Sequence, residues 1–181
     1  MSPEDEFING MDRNNPQIME SYGYLKSKSK DNDIRPESRF LAFEYIYSVL
    51  GEKNPLCDVR KKSYSNRCVK KLLRMTEIML ERHDIPFKSA CTKLKLSSDT
   101  PVSRMLQSIA AEMFSNGCNW GRITALFALC RKLVLECKQL GYNDVIHRIA
   151  GCLADILTGQ LNIWISAKGG WVSVIYHYIN S

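Results

Sequence analysis

The fold of this protein is decided by residues 119–140, which read NWGRITALFALCRKLVLECKQL. Asn119 is a favourable helix N-cap, and Gly141, directly after the stretch, is a favourable helix end. Between Ile123 and Leu135 the apolar residues fall on every side of the predicted helix. A helix that is apolar all round has no face for water and must be surrounded by other helices. The stretch therefore predicts a central, buried helix.

Helical periodicity continues before and after this stretch, whereas strand alternation is convincing nowhere in the sequence. Asn143 and Asp144 are expected to cap the helix that follows them. The sequence predicts an all-α globular bundle of seven to eight helices around a central buried helical hairpin, formed by residues 120–140 and 145–157. The other helices are predicted at 38–50, 67–83, 87–94, 100–117, 161–166 and 170–179.

The length of 181 residues fits one domain with one core. Residues 1–36 are predicted to be a polar, poorly ordered lead, because Gly23, the run Lys26–Lys30 and Pro36 disfavour a packed element. Residues 37–181 are predicted to form the single helical domain. No uncharged apolar stretch reaches the roughly 18 residues of a membrane span, so no transmembrane helix is predicted.

The cysteines and histidines form no recognisable catalytic or metal-binding motif. The seven cysteines form no C-x-x-C pair, and no signal peptide opens the chain, which favours free thiols in a reducing, cytosolic setting. His83, His147 and His177 lie in separate predicted helices without metal-ligand spacing, and no catalytic or nucleotide-binding motif is present. The sequence therefore predicts a binding protein rather than an enzyme, with no catalytic residues, no metal site and no cofactor.

Two motifs that bracket the predicted hairpin resemble those of the Bcl family of apoptosis regulators. The first consists of Glu112-Met113-Phe114, Gly117 and Asn119-Trp120-Gly121-Arg122-Ile123. The second consists of Trp164-Ile165 and Gly170-Trp171. Residues 40–50 also resemble, less specifically, the amino-terminal motif of the family. The resemblance therefore covers the chain from Ser38 to Tyr178.

The resemblance implies a hydrophobic groove that binds the amphipathic death-motif helix of a pro-apoptotic partner. It also implies that Arg122 pairs with an aspartate of that helix, a contact that contributes about 1.5–3 kcal/mol. A cation at a helix start is otherwise unfavourable with the helix dipole, so we expect Arg122 to lean outward to a carboxylate. The other groove residues that the resemblance implies are Asn119, Gly121, Ala125, Leu129, Ile109, Glu112, Met113, Met79, His83, Phe87 and Tyr178.

These residues have different expected roles. Asn119 adds a polar contact to the partner, and Gly121 allows its backbone to approach closely. Tyr178 matches a family position near one end of the groove, and the three tryptophans are expected to pack inward. The floor is expected to be Ala125 and Leu129, one wall Ile109 and Met113, and the other wall Met79, His83 and Phe87.

The predicted second helix resembles the death motif itself. Its four apolar anchor positions carry Cys68, Leu72, Met75 and Met79. The family's usual Gly-Asp pair, however, is Thr76-Glu77 here, which adds bulk and lengthens the acid. Both changes weaken this helix as a ligand for another groove. We therefore favour a pro-survival role, in which the chain sequesters pro-apoptotic partners, including multi-motif effectors.

Two alternatives stay open at this point. A membrane-permeabilising effector of the same fold would use the apolar hairpin at 120–140 and 145–157. A nucleic-acid adaptor would use the basic segment from Arg60 to Arg74, although a solvated face explains that segment without a ligand, and no nucleic acid is expected. The favoured function implies a cytoplasmic protein, associated with the outer mitochondrial or endoplasmic reticulum membrane if a tail anchor follows residue 181.

Overall fold

The computed structural model describes residues 33–56 and 62–178, with side chains from residue 66 onward in the second range. Every regular element in these residues is helical, so the predicted all-α class is confirmed. Most of the predicted lead lies outside the described residues. The eight helices of the described part are α1 (Arg35–Leu50), α2 (Lys62–Arg82), α3 (Asp84–Leu94), α4 (Val102–Met113), α5 (Trp120–Leu140), α6 (Asn143–Thr158), α7 (Asn162–Ala167) and α8 (Val172–His177).

Helices α5 and α6 form a hairpin at the centre of the bundle. Leu126, Phe127 and Leu133 of α5 are fully buried, as are Ile149 and Leu153 of α6. α1 packs mainly on α6, α2 packs on α5, and α4 covers a further side of α6. Each fully buried Leu, Ile or Phe side chain contributes about 1.5–3 kcal/mol. The predicted central hairpin is therefore confirmed, and it supplies much of the hydrophobic stabilisation.

The helix caps confirm the predicted start of α5 and correct that of α6. The Asn119 side chain accepts a hydrogen bond from the Arg122 amide at 2.8 Å, and Gly141 ends α5 with φ 76°. At α6 the expected Asn143 cap is wrong, because Asn143 is already helical and Tyr142 takes the N-cap position without a side-chain bond. The preceding turn is so short that the helix begins one residue earlier than an asparagine cap requires.

Three helices begin earlier than the apolar pattern predicts. α1 begins at Arg35 rather than Ser38, because Pro36 lies in the first turn, where its missing amide hydrogen costs nothing. α3 begins at Asp84 rather than Phe87 for the same reason, with Pro86 in its first turn. α2 begins at Lys62 rather than 67, and its polar first turns carry no apolar periodicity that could reveal them.

The cysteines of the described residues are free thiols, as predicted for a reducing setting; Cys57 lies outside those residues. Burial raises the pKa of Cys91, Cys137 and Cys152 to about 11, and raises that of Cys130 as well. These thiols are therefore protonated and inert at neutral pH, and serve as small core residues. In the same part of the chain, no helix combines the length and apolar character needed to cross a membrane.

Candidate helix-binding groove

The first turn of α5 positions Arg122. Its amide is held by the Asn119 cap, which fixes the direction in which the side chain leaves the helix. The guanidinium folds back on the preceding loop, where Nη1 donates to the Gly117 carbonyl at 2.5 Å in a solvent-accessible bond. The arginine has no carboxylate partner within the described residues. Among the described residues, the Arg122 guanidinium is therefore held by the Gly117 carbonyl alone, and water can replace this bond.

Gly121 has a reason to be glycine within the chain itself. A Cβ atom at this position would lie 3.3 Å from the Asn119 Oδ1 atom, which is the atom that caps α5. The cap would have to shift by a few tenths of an ångström to accommodate it. Gly121 thus protects the geometry of Arg122, in addition to the close partner approach expected from the family resemblance.

The predicted floor of the groove is largely covered. Leu129 is only 3% exposed and belongs to the hydrophobic core, whereas Ala125, one turn nearer to Arg122, is half-buried. A partner helix that contacts Leu129 must therefore displace side chains that cover it. The expected exposed floor reduces to Ala125 in this structure, because Leu129 belongs to the hydrophobic core.

The predicted walls lie on α2, α3 and α4. Ile109 and Met113 on α4 and Phe87 on α3 are half-buried and pack against the core. Met79 is half-buried, while His83 and Glu112 are exposed. Where α3 ends and α4 begins, a cavity of about 460 Å³ remains open and is lined by Leu94, Thr100, Pro101, Arg104, Met105, Ser108 and Ile109. Of the predicted site residues, only Ile109 reaches this cavity.

Tyr178 fixes the other end of the predicted site. Its hydroxyl lies 2.6 Å from the Thr124 Oγ1 atom and donates to the Trp120 carbonyl at 3.3 Å. Its own carbonyl accepts a hydrogen bond from the Lys71 Nζ atom at 3.0 Å. Burial raises the pKa of the phenol, and the Thr124 bond partly offsets that rise. Tyr178 therefore ties α2 to the first turn of α5.

The two sequence motifs meet through their tryptophans. The ring centroid of Trp120 lies 5.1 Å from that of Trp164 and 5.9 Å from that of Trp171. Trp171 is buried, and its Nε1 atom donates to the Ser38 Oγ atom of α1 at 2.9 Å. The expected inward packing of the tryptophans is confirmed for Trp120 and Trp171, while Trp164 is half-buried. The second motif thus packs against the first through the contacts of Trp164 and Trp171 with Trp120.

A buried polar network, which the sequence analysis did not predict, attaches α2 to the core. Thr76 and Tyr45 are both 0% exposed, and the Tyr45 hydroxyl donates to the Thr76 Oγ1 atom at 2.9 Å. The Arg131 Nη1 atom donates to the Leu73 carbonyl at 2.9 Å and approaches Thr76 Oγ1 at 3.4 Å. Its Nη2 atom lies 3.6 Å from the Glu77 carboxylate. Both residues that replace the Gly-Asp pair are therefore bound by Arg131.

One signal in the sequence could have revealed this network. Arg131 interrupts an apolar run in a buried helix, and a cation in such a place needs hydrogen-bond partners. The sequence could not show that the partners lie on α2, since Thr76 is distant along the chain. Burial raises the pKa of Tyr45, so its hydroxyl stays protonated and keeps donating to the network.

Comparison with known proteins defines the class. Residues 72–171 match the family described as "Apoptosis regulator proteins, Bcl-2 family". The zebrafish (Danio rerio) protein "Bcl-2-related ovarian killer protein homolog B" is 29% identical over 87 residues, which cover 48% of this chain and 41% of that protein. The chain spans about half, or less, of the length of the curated relatives it matches.

Solved structures show the same fold. Trichoplax adhaerens trBcl-2L2 bound to trBak BH3 has a TM-score of 0.68 at 23% identity, covering 78% of this chain and 96% of that one. The zebrafish pro-survival protein NRZ has a TM-score of 0.66 at 24% identity, covering 82% of this chain and 95% of that one. The chain belongs to the Bcl-2 family of apoptosis regulators. It is therefore a regulatory protein and not an enzyme.

Proposed function

We propose that this chain is a pro-survival regulator that binds the death-motif (BH3) helix of pro-apoptotic partners in the groove between α2, α3, α4 and α5, with Arg122 pairing the partner aspartate. The observation that carries the proposal is the contrast between α2 and Arg122. The death-motif face of α2 is fastened to the core through Thr76. Arg122, in contrast, is held by one carbonyl at a solvent-accessible site. The chain is thus arranged to receive such a helix rather than to release its own.

A related structure supports the choice of partner. The Trichoplax protein with this fold is described as bound to the BH3 segment of trBak. The names of the relatives do not distinguish a pro-survival from a pro-apoptotic role, because they include an ovarian killer protein and a pro-survival protein. The pro-survival direction therefore rests on Thr76 and Glu77 of this chain and on their bonds to Arg131.

Peptide binding tests the groove. A panel of death-motif peptides titrated by calorimetry is expected to include ligands that bind more tightly than ~10 μM. Arg122→Ala is expected to weaken that binding ten- to a hundredfold, since it removes a charge-assisted contact worth about 1.4–2.7 kcal/mol. Arg39→Ala is the control, because Arg39 is an exposed arginine of α1, outside the proposed groove, with Asp155 at 3.4 Å and the Phe43 ring as its neighbours. The absence of any ligand in the panel would refute the groove.

The second candidate function is a membrane-permeabilising effector. The observation that favours it is the match to proteins named as killers, together with an apolar hairpin, α5–α6, that is available if the bundle opens. An effector must bring the buried thiols of Cys130 and Cys152 out of the core. On vesicles of mitochondrial lipid composition with an activating BH3 peptide, we expect no dye release and no maleimide on these cysteines. Release with labelling of both would establish the effector instead.

We also propose a cytoplasmic location at the outer mitochondrial or endoplasmic reticulum membrane, provided that a tail anchor follows residue 181 in the cell. Support comes from the proposed partners, since a groove that restrains membrane-acting proteins is useful where those proteins act. Fractionation of cells that express the natural transcript tests this location, and recovery only from the nucleus would contradict it.

A further inference from the structure

We infer that the cavity at the α3–α4 end of the groove selects partner helices with acidic residues around their first apolar anchor. The inference rests on the proposed function, and it adds a class of partner to it. It is carried by the position of the cavity and by the charges at its mouth.

The cavity has an apolar interior and a cationic rim. Leu94 of α3 and Met105 and Ile109 of α4 are half-buried and face its volume of about 460 Å³. The cavity is open to solvent, and its volume is large enough to admit one aliphatic side chain. Arg104, an exposed residue, forms part of the same lining. An apolar side chain that enters the cavity therefore brings its neighbours close to a guanidinium.

Further cations gather at the mouth. The Thr100 Oγ1 atom, in the cavity wall, donates to the Lys95 carbonyl at 3.5 Å, which places the backbone of the exposed Lys95 beside that wall. Arg148 of α6 donates to the Ser98 carbonyl at 2.7 Å and the Thr100 carbonyl at 3.3 Å, so its charge also stands here. The two bonds of Arg148 go to carbonyl oxygens, so they leave its positive charge uncompensated.

Carboxylates are scarce in the chain segment that forms much of the cavity lining. Residues 93–105 contain a single acid, the exposed Asp99, against Lys93, Lys95 and Arg104. Within the described part of the chain, neither Lys95 nor Arg104 forms an ion pair. Their field extends over roughly a Debye length of 8–10 Å, which reaches the flanks of a bound helix. The rim therefore favours acidic side chains on the ligand.

The spacing along α4 shows which part of the partner meets this rim. α4 leads from Met105, at the cavity, to Met113, four residues before the Gly117 whose carbonyl binds Arg122, a rise of about 12 Å at 1.5 Å per residue. In the motif carried by α2, the first anchor Cys68 precedes the acidic position Glu77 by nine residues, or about 13 Å of helix. If Arg122 pairs the partner acid and the partner helix runs antiparallel to α4, the first anchor of the partner reaches the cavity.

The test uses three death-motif peptides that differ only in two charges. One carries Glu on both sides of the first anchor, one carries Gln there, and one carries the same two Glu residues after its last anchor. Calorimetry at about 50 mM salt is expected to show the first peptide binding five- to tenfold more tightly than the second. The third is expected to bind like the second, and the advantage should shrink at about 500 mM salt.

Charge reversal in the protein separates the rim from general effects. Lys95→Glu/Arg104→Glu is expected to abolish or invert the preference for the acidic peptide. The matched control is Lys70→Glu/Arg74→Glu, an equal charge change at two exposed positions of α2 outside the cavity, and it should leave the preference intact. Because the Glu and Gln peptides are compared on each protein, the stabilising effect of acidic residues on the free helix cancels.

The outcomes distinguish this inference from the proposed function. If no peptide binds the natural protein, the groove itself is refuted. If peptides bind and Arg122→Ala weakens them, but Glu and Gln peptides bind equally, the acidic preference is overturned while the groove stands. The preference is also overturned if the α2 control removes it as fully as the rim variant does.

Discussion

Two arginines on the same helix, Arg122 and Arg131, have opposite surroundings. Arg122 opens α5 and donates to one loop carbonyl at a solvent-accessible site. Arg131, nine positions later, is only 19% exposed in its side chain and binds the Leu73 carbonyl, Thr76 and Glu77 of α2. We therefore expect Arg122 to be available to a partner, whereas Arg131 attaches α2 to α5. The number and burial of the internal partners separate the two roles.

The largest expected effect comes from breaking the buried side of this comparison. Arg131→Met keeps an apolar stem but leaves the Thr76 hydroxyl and the Leu73 carbonyl without their charged donor. We expect it to lower the free energy of unfolding by about 2–3 kcal/mol. Arg122→Met, the matched control, is expected to change it by no more than about 0.5 kcal/mol. Urea titration followed by circular dichroism measures both, and equal losses would remove the distinction between the two arginines.

A smaller effect is expected when the death motif is restored on α2. A synthetic peptide of residues 66–82 with Thr76→Gly and Glu77→Asp should bind a pro-survival groove at least tenfold more tightly than the natural peptide. The physical reason is that glycine allows the helices to approach, and the shorter acid reaches the groove arginine. A Thr76→Ala/Glu77→Gln peptide serves as control and should gain nothing. Should the natural peptide bind as well as the restored one, the argument for a protector loses its basis.

The smallest effect concerns Asp84, which pairs with the residue next to Arg131. Asp84 lies 3.2 Å from the Lys132 Nζ atom and 2.5 Å from that of Lys88, and hydrogen bonds from both lower its carboxyl pKa from the ordinary 3.8. A carboxylate whose pKa is lower in the folded state stabilises the fold above pH ~3.8. This stabilisation is lost as the pH falls through the lowered value.

Asp84→Asn is therefore expected to flatten slightly the acid limb of stability, measured as the urea midpoint between about pH 5 and pH 2. Glu81→Gln is the control, because Glu81 is an exposed carboxylate near the end of α2 that forms no ion pair with any other residue that the structure describes. An unchanged acid limb in the Asp84 variant would show that this solvent-exposed pair does not contribute to the attachment of α3.

The apolar pattern of the sequence predicted those helices well whose side chains are buried. The apolar run at 123–135 and the Asn119 cap predicted where α5 lies, because a helix that is apolar on all sides is stable only when other helices surround it. The start of α2 was missed because its first turns are polar. The Asn143 cap was wrong because the connection to α5 takes only Gly141 and Tyr142, a constraint that residue preference does not contain.

The sequence proposes members of the candidate site, but it does not contain their exposure. The motif match named Ile109, Ala125 and Leu129, and the structure adds that Leu129 is covered while Ile109 borders an open cavity. The burial of Leu129 is a property of packing across the bundle, which the local sequence pattern does not contain. The cationic rim was also missed, since Arg148 reaches it from α6 through carbonyl oxygens.

The hydrogen bond from Trp171 to Ser38 connects the packing around the first turn of α5 with the amino-terminal helix α1. Ser38 belongs to α1, Trp171 lies against Trp120, and Trp120 is two residues from Arg122. Thermodynamic linkage is reciprocal, so any free energy that a ligand gains by ordering the first turn of α5 also disfavours detachment of α1. An event that loosens the amino-terminal helix would, by the same coupling, reduce the affinity for a partner. The affinity of a ligand that orders this turn is therefore expected to depend in part on Ser38, which is bonded to Trp171.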